Sequence, residues 1–98
     1  MKINLAIIGA GRIGHVHAEA INKNINANLI YVYDTNNSEA NKFASKFNCK
    51  ITDINSIKND KNIDAVVICS PTNTHIDLIK NFSKVKKAIF CEKPIDLN

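Results

Sequence analysis

Long hydrophobic runs are missing from this sequence. No unbroken apolar run exceeds that of Ala65 to Cys69, far short of the roughly 20 residues that a membrane span needs. Met1-Lys2 passes directly into a strand-like segment, without the basic, apolar and small-residue regions of a signal peptide. A cytoplasmic protein with no membrane partner is therefore expected. Cysteine is sparse: Cys49, Cys69 and Cys91 form an odd set with no CxxC pair, which excludes a disulfide framework and fits buried thiols in a reducing compartment. An arginine cluster and an aromatic RNA-binding platform are also lacking. The formal charge of +4 comes largely from Lys80, Lys84, Lys86 and Lys87, which read as a solvated helix face, so no nucleic-acid partner is expected. Repeats, low-complexity tracts and linkers are absent. With 98 residues, 45% of them hydrophobic and 22% charged, the chain has room for one core and one domain.

What is present is a strict alternation. Ile3 to Ile8 is an apolar run broken only by Asn4 and stopped at Gly9, as expected of a buried strand feeding a turn. Ile13, Val16, Ala20 and Ile21 then recur at helical spacing up to the asparagine-rich stretch 22–28. Leu29 to Tyr33 predicts a second strand, and Ala40, Phe43, Ala44 and Phe47 an amphipathic helix. A weak strand at Cys49 to Thr52 and a helical turn with Ile54 and Ile57 follow. Ile63 to Ser70 does not alternate with polar residues and predicts a central strand buried on both faces. Thr74 and Asp77 have capping-box spacing for the next helix, with Ile76, Ile79 and Phe82 as its expected buried stripe. Ala88 to Cys91 is the last strand. The expected fold is α/β: a Rossmann-type doubly wound parallel sheet of about five strands. The polar segment Ile95-Asp96-Leu97-Asn98 stands where another helix would open, and the sequence reads as interrupted there.

Gly9-Ala10-Gly11-Arg12-Ile13-Gly14 is a full GxGxxG between a predicted strand and a predicted helix. Gly9 would permit the tight turn, Gly11 would let the backbone approach a pyrophosphate, and Gly14 would let the helix pack against the sheet. The pyrophosphate would rest on the helix N-terminus, chiefly on the backbone N–H groups of Arg12 and Ile13. The competing reading is a glycine turn made for packing alone. Asp34 lies twenty residues past Gly14, at the end of the second strand. There a carboxylate can accept from both adenosine ribose hydroxyls and repel a 2′-phosphate, so NAD is expected over NADP; a plain turn residue is the alternative. Ser70-Pro71-Thr72-Asn73-Thr74-His75 sets polar groups at the carboxyl edge of the sheet, where open α/β folds bind ligands. Asn73 and His75 stand equally well as ligand contacts or as surface residues. His15 and His17 have no metal-site partners, and no metal is expected. Glu92-Lys93-Pro94 follows the last strand, where a lysine could donate to a substrate oxygen or join a proton relay.

Taken together, the glycine loop, Asp34, the segment IDAVVICSPTNTH and the terminal FCEKPIDL resemble the N-terminal domain of the Gfo/Idh/MocA oxidoreductase family across essentially the whole chain. CEKPIDL is most similar to the wording in the family's inositol 2-dehydrogenases. The resemblance implies an NAD-binding Rossmann domain over residues 1–98, incomplete at its C-terminus, with the sixth strand and the substrate domain absent. It implies that Gly9, Gly11, Arg12, Ile13 and Gly14 hold the diphosphate, Asp34 the ribose, and Ser70, Asn73 and His75 line the cleft. It places Glu92 toward the nicotinamide and makes Lys93 the catalytic lysine. It implies a small-molecule polyol or sugar substrate, with homo-oligomers formed only through the second domain. The chain alone is expected to be inactive. The competing class is a non-catalytic dinucleotide-binding or cofactor-sensing module, which would need the glycine loop but not Lys93.

Overall fold

The computed structural model describes residues 2–91. Five strands, β1 (Ile3–Ile8), β2 (Ala27–Tyr33), β3 (Lys50–Ile51), β4 (Ala65–Ile68) and β5 (Ala88–Cys91), form one sheet in the order β3-β2-β1-β4-β5. Every pairing is parallel. The helices are α1 (Arg12–Asn22), α2 (Asn37–Phe47), α3 (Ile54–Asn59) and α4 (His75–Phe82), with a 3₁₀ turn at Thr72–Thr74 ahead of α4.

Strand alternation divides the core in two. Leu5 and Ile7 of β1 with Ala65 and Val67 of β4 face Ala18 of α1 and Phe43 and Phe47 of α2. Ala6, Ile8, Val66 and Ile68 face Ile57 of α3 and Phe82 of α4. All four residues of β4 are buried, as its unbroken apolar sequence predicts for a strand covered on both faces. The chain leaves β1 toward β2 on one side and later returns toward β4 on the other, so the connections diverge above β1. That divergence opens a crevice at the carboxyl edge of the sheet.

Two helices turn a different face to the sheet than periodicity predicts. On α1 the buried residues are Gly14 and Ala18, while Val16 is 57% exposed and Ile13 is also exposed. The cause is distance: a Cβ on Gly14 would land on the carbonyl oxygen of Gly9, so the small residues take the contact and the bulky ones turn outward. On α4 Phe82 is buried as expected, but His75 takes the other buried position while Ile76 and Ile79 are exposed. The capping box does not form either, because Thr74 has helical backbone angles and its side chain makes no cap bond. The Thr74 hydroxyl instead donates to the carbonyl of Pro71 at 2.6 Å. The central strand is also shorter than the expected Ile63 to Ser70, because ladder pairing with β1 runs only from Ala65 to Ile68.

Candidate functional site

The carboxyl ends of β1, β2 and β4 are held level by two backbone bonds: the Gly9 N–H donates to Tyr33 O at 2.8 Å, and the Cys69 N–H donates to Ile8 O at 2.7 Å. Above them lies a cleft of about 570 Å³, lined by Gly9, Gly11, Arg12, Ile13, Asp34, Ser70 and His75 together with Thr35, Asn36, Glu39 and the loop from Cys69 to Thr72. A second hollow of about 560 Å³ shares Gly9, Asp34, Thr35, Ser70 and Pro71 and is walled by Tyr33, Ile54, Asn73 and Leu78. The two form one groove across the crevice.

The three glycines have three different physical reasons. Gly9 has φ of +109°, and a Cβ there would lie 2.6 Å from the carbonyl carbon of Cys69. Gly14 is the helix-to-turn contact described above. Gly11 has neither constraint: a Cβ would meet nothing within 4 Å, and its φ of −83° is open to any residue. The protein's own packing does not require glycine at this position, which opens on the cleft. Gly11 is also the N-cap of α1, where no side chain satisfies the first N–H groups. By contrast, Asn36 caps α2 through the Glu39 N–H at 3.1 Å, and Asp53 caps α3 through the Ser56 N–H at 2.7 Å. The start of α1 therefore offers a positive, uncapped helix end under a bare backbone, which fits the diphosphate of a dinucleotide.

Asp34 has a structural task that the sequence did not reveal. Its carboxylate accepts the Ala10 N–H at 2.7 Å and the Asn36 N–H at 2.8 Å, tying the glycine loop to the end of β2. Each oxygen keeps a further lone pair, so the same carboxylate can receive ribose hydroxyls from the cleft. His75 is only 8% exposed. Its Nε2 lies 2.8 Å from the Ser70 carbonyl oxygen, and because a carbonyl only accepts, Nε2 carries the hydrogen. The Thr74 hydroxyl spends its one hydrogen on Pro71, so the Ser70 hydroxyl donates to Thr74 across 2.7 Å. His15 sits behind the loop, with Nδ1 2.9 Å from Gly11 O and its ring edge-on to Phe43 and Phe47.

Of the residues singled out from sequence, Gly9, Gly11, Arg12, Ile13, Asp34, Ser70 and His75 meet at the cleft. Asn73 lines the adjoining hollow, and Gly14 lies beneath the loop as a packing residue. Glu92, Lys93 and the segment Ile95 to Asn98 lie outside the described residues. Thr35, Asn36 and Glu39 were passed over as cleft walls; the signal was the position of the first two directly after Asp34 and of Glu39 in the first turn of α2.

Residues 3–98 match the family model of the Gfo/Idh/MocA oxidoreductases, described as an oxidoreductase family with an NAD-binding Rossmann fold. The chain belongs to this family. Among Gfo/Idh/MocA proteins, it is 48% identical over 98 residues to the inositol 2-dehydrogenase of Rhizobium meliloti, covering all of this chain and 30% of that enzyme. The crystal structure of a myo-inositol dehydrogenase from Corynebacterium glutamicum superposes with a TM-score of 0.88 at 36% identity, covering 100% of this chain and 30% of that one. GenD2 from gentamicin A biosynthesis, solved in complex with NAD, gives a TM-score of 0.91 at 25% identity over 98% of this chain and 28% of its own. The chain thus spans under a third of the length of the Gfo/Idh/MocA relatives it matches.

Proposed function

We propose that residues 1–98 are the NAD-binding portion of a cytoplasmic dehydrogenase that oxidises a secondary hydroxyl of a polyol, a cyclitol of the inositol type. The observation that carries the cofactor half is Gly11, a glycine with no packing reason to be one, at the uncapped start of α1 and open to the cleft. The substrate half rests on kinship with two inositol dehydrogenases at 48% and 37% identity.

NAD, when bound, supplies the hydride acceptor. The chain's own residues bind and orient. The N–H groups of Arg12 and Ile13 hold the diphosphate, and Asp34 accepts from the ribose hydroxyls while its charge disfavours a 2′-phosphate. Ser70, Asn73 and His75 shape the groove walls. By family resemblance, Glu92 is assigned to the nicotinamide end and Lys93 to the proton released by the substrate hydroxyl. An unperturbed lysine titrates near 10.4 and is a poor base at neutral pH, so Lys93 needs neighbours that lower its pKa and hold the substrate. Those neighbours, and the contacts that make a homo-oligomer, would come from a substrate domain; the greater length of the relatives supports that division. Among the described residues no helix is long and apolar enough to cross a membrane.

The test is calorimetric titration of NAD and NADP, followed by turnover of myo-inositol after fusion to a family-type second domain. Tighter binding of NAD is expected, with a difference that narrows in Asp34→Asn, and NADH formation only in the fusion, abolished by Lys93→Ala. Equal affinity for the two dinucleotides would remove the assignment of Asp34. Turnover by the 98-residue chain alone would show that it is a complete small enzyme.

A further inference from the structure

The end of β5 and the start of α4 bring together a thiol and an imidazole that the binding reading does not use as a pair. Cys91 Sγ lies 3.1 Å from His75 Nδ1. The opposite ring nitrogen is fixed as a donor by the Ser70 carbonyl at 2.8 Å, so Nδ1 is the basic nitrogen and faces the sulfur. Nucleophile, base and the group that orients the base stand in line. The imidazole is buried and the thiol is exposed, which gives the base a fixed position and the sulfur access to reagents. The sulfur also lies beside the N-terminal end of α4, an eight-residue helix opened by His75, whose positive pole favours a thiolate. Cys49 is the contrast within the same chain. Burial pushes its thiol up to about 11, which keeps it protonated and inert.

We propose that Cys91 is a modification site, a thiol activated by the cleft residue His75 that reacts with small electrophiles and with peroxides. With an alkyl halide, an S–C bond forms, the halide leaves and the thiol proton passes to His75 Nδ1 and then to water. With hydrogen peroxide, sulfur attacks one oxygen and the O–O bond breaks. Sulfur is oxidised by two electrons to the sulfenic acid, and the departing hydroxide takes the thiol proton through His75 and leaves as water. Either product removes the S–H donor from Nδ1 and frees one side of a ring that lines the cleft. Resting on the dinucleotide reading, modification therefore weakens NAD binding.

Iodoacetamide labelling of the 98-residue chain, followed cysteine by cysteine by peptide mass spectrometry, tests the activation. The reference is the same chain in urea at the same pH. Cys91 should react about threefold or more faster folded than unfolded, because a larger thiolate fraction outweighs its lower nucleophilicity, whereas Cys49 should react more slowly folded. His75→Gln should bring folded Cys91 to or below its unfolded rate. If that variant labels Cys49 at the unfolded rate, it has lost its fold and the wild-type comparison decides. A folded Cys91 no faster than unfolded overturns the proposal, since exposure alone never exceeds the unfolded rate. In a second arm, peroxide treatment should weaken NAD binding several-fold in the wild type and leave Cys91→Ser unmoved. Loss of the affinity effect with activation intact would remove the coupling, and absence of NAD binding before treatment would sink the functional reading instead.

Discussion

At the amino edge of the sheet the polar groups bond to one another. Asn4 receives Asn28 Nδ2 at 3.1 Å and gives its own Nδ2 to Asn62 O at 2.9 Å, and its backbone N–H goes to Asp64 at 2.8 Å. Lys87 Nζ bonds the carbonyls of Asp60 and Ile63 at 2.6 and 2.9 Å. At the carboxyl edge, 20 Å or so away by the length of a six-residue strand, the helix start at Gly11 has no side-chain cap and a Cβ there would meet nothing within 4 Å. At one edge the polar groups satisfy one another, and at the other a helix start is left without a side-chain cap. Stability and binding should therefore separate by edge, and four substitutions press on that division.

The largest effect is expected where the division has an exception. Gly14→Val lies at the carboxyl edge but forces a side chain into the Gly9 carbonyl, so unfolding free energy should fall by about 3 kcal/mol in urea titration, with binding lost as a consequence. Gly11→Val should do the reverse. Dinucleotide affinity should drop more than tenfold, about 1.4 kcal/mol, while stability changes by no more than about 1 kcal/mol, the scale of a helix cap. If Gly11→Val binds normally, the open edge has no functional meaning.

Lys87→Met removes the ammonium donor from the carbonyls of Ile63 and Asp60 at the amino edge, leaving the latter only the Ile63 N–H at 3.1 Å. It should cost about 1 kcal/mol and leave NAD affinity within about twofold, well under the tenfold that 1.4 kcal/mol represents; a parallel loss of affinity would show that the edges are coupled. The smallest effect is a matter of pH. The Asn62 N–H, the Tyr31 hydroxyl and Lys87 hold the Asp60 carboxyl below its ordinary 3.8. Its contribution is full above that value and is lost as pH falls through the lower folded one. Asp60→Asn should thus be less stable than wild type near neutrality, and the gap should close in acid. A gap that does not change with pH would show that the charge on Asp60 is irrelevant.

Which parts of this were readable beforehand follows from the range of the forces involved. The number and order of the strands and the glycine loop come from local pattern and are found, although β2 starts two residues early at Ala27 and β4 shrinks to Ala65–Ile68. Phe82 and Ile21 pack on the core as their spacing expects, but Ile13, Val16, Ile76 and Ile79 were misread as buried, because hydrophobicity indicates what prefers burial whereas backbone approach decides what fits. Gly14 and Ala18 have little apolar surface, yet only they can sit that close to β1. The buried face of α4 includes a histidine satisfied by Ser70 and Cys91, a long-range arrangement with no local signature. Spacing put Asp34 forward as a candidate ligand group and the structure sets it on the cleft wall, but its grip on Ala10 appears only once β1 and β2 are side by side.

His15 has a practical use. Its ring stands edge-on to two phenylalanines, with centroids 5.1 and 5.4 Å away, so circulating electrons in those rings displace its carbon-bound proton resonances from their free-histidine positions. The same imidazole is 2.9 Å from the Gly11 carbonyl, and a shift of the loop by a fraction of an ångström changes both the distance and the tilt to each ring. With His15, His17 and His75 the only histidines in the sequence, the aromatic proton spectrum has few lines to assign. One of them is a built-in gauge of the glycine loop, readable without any label.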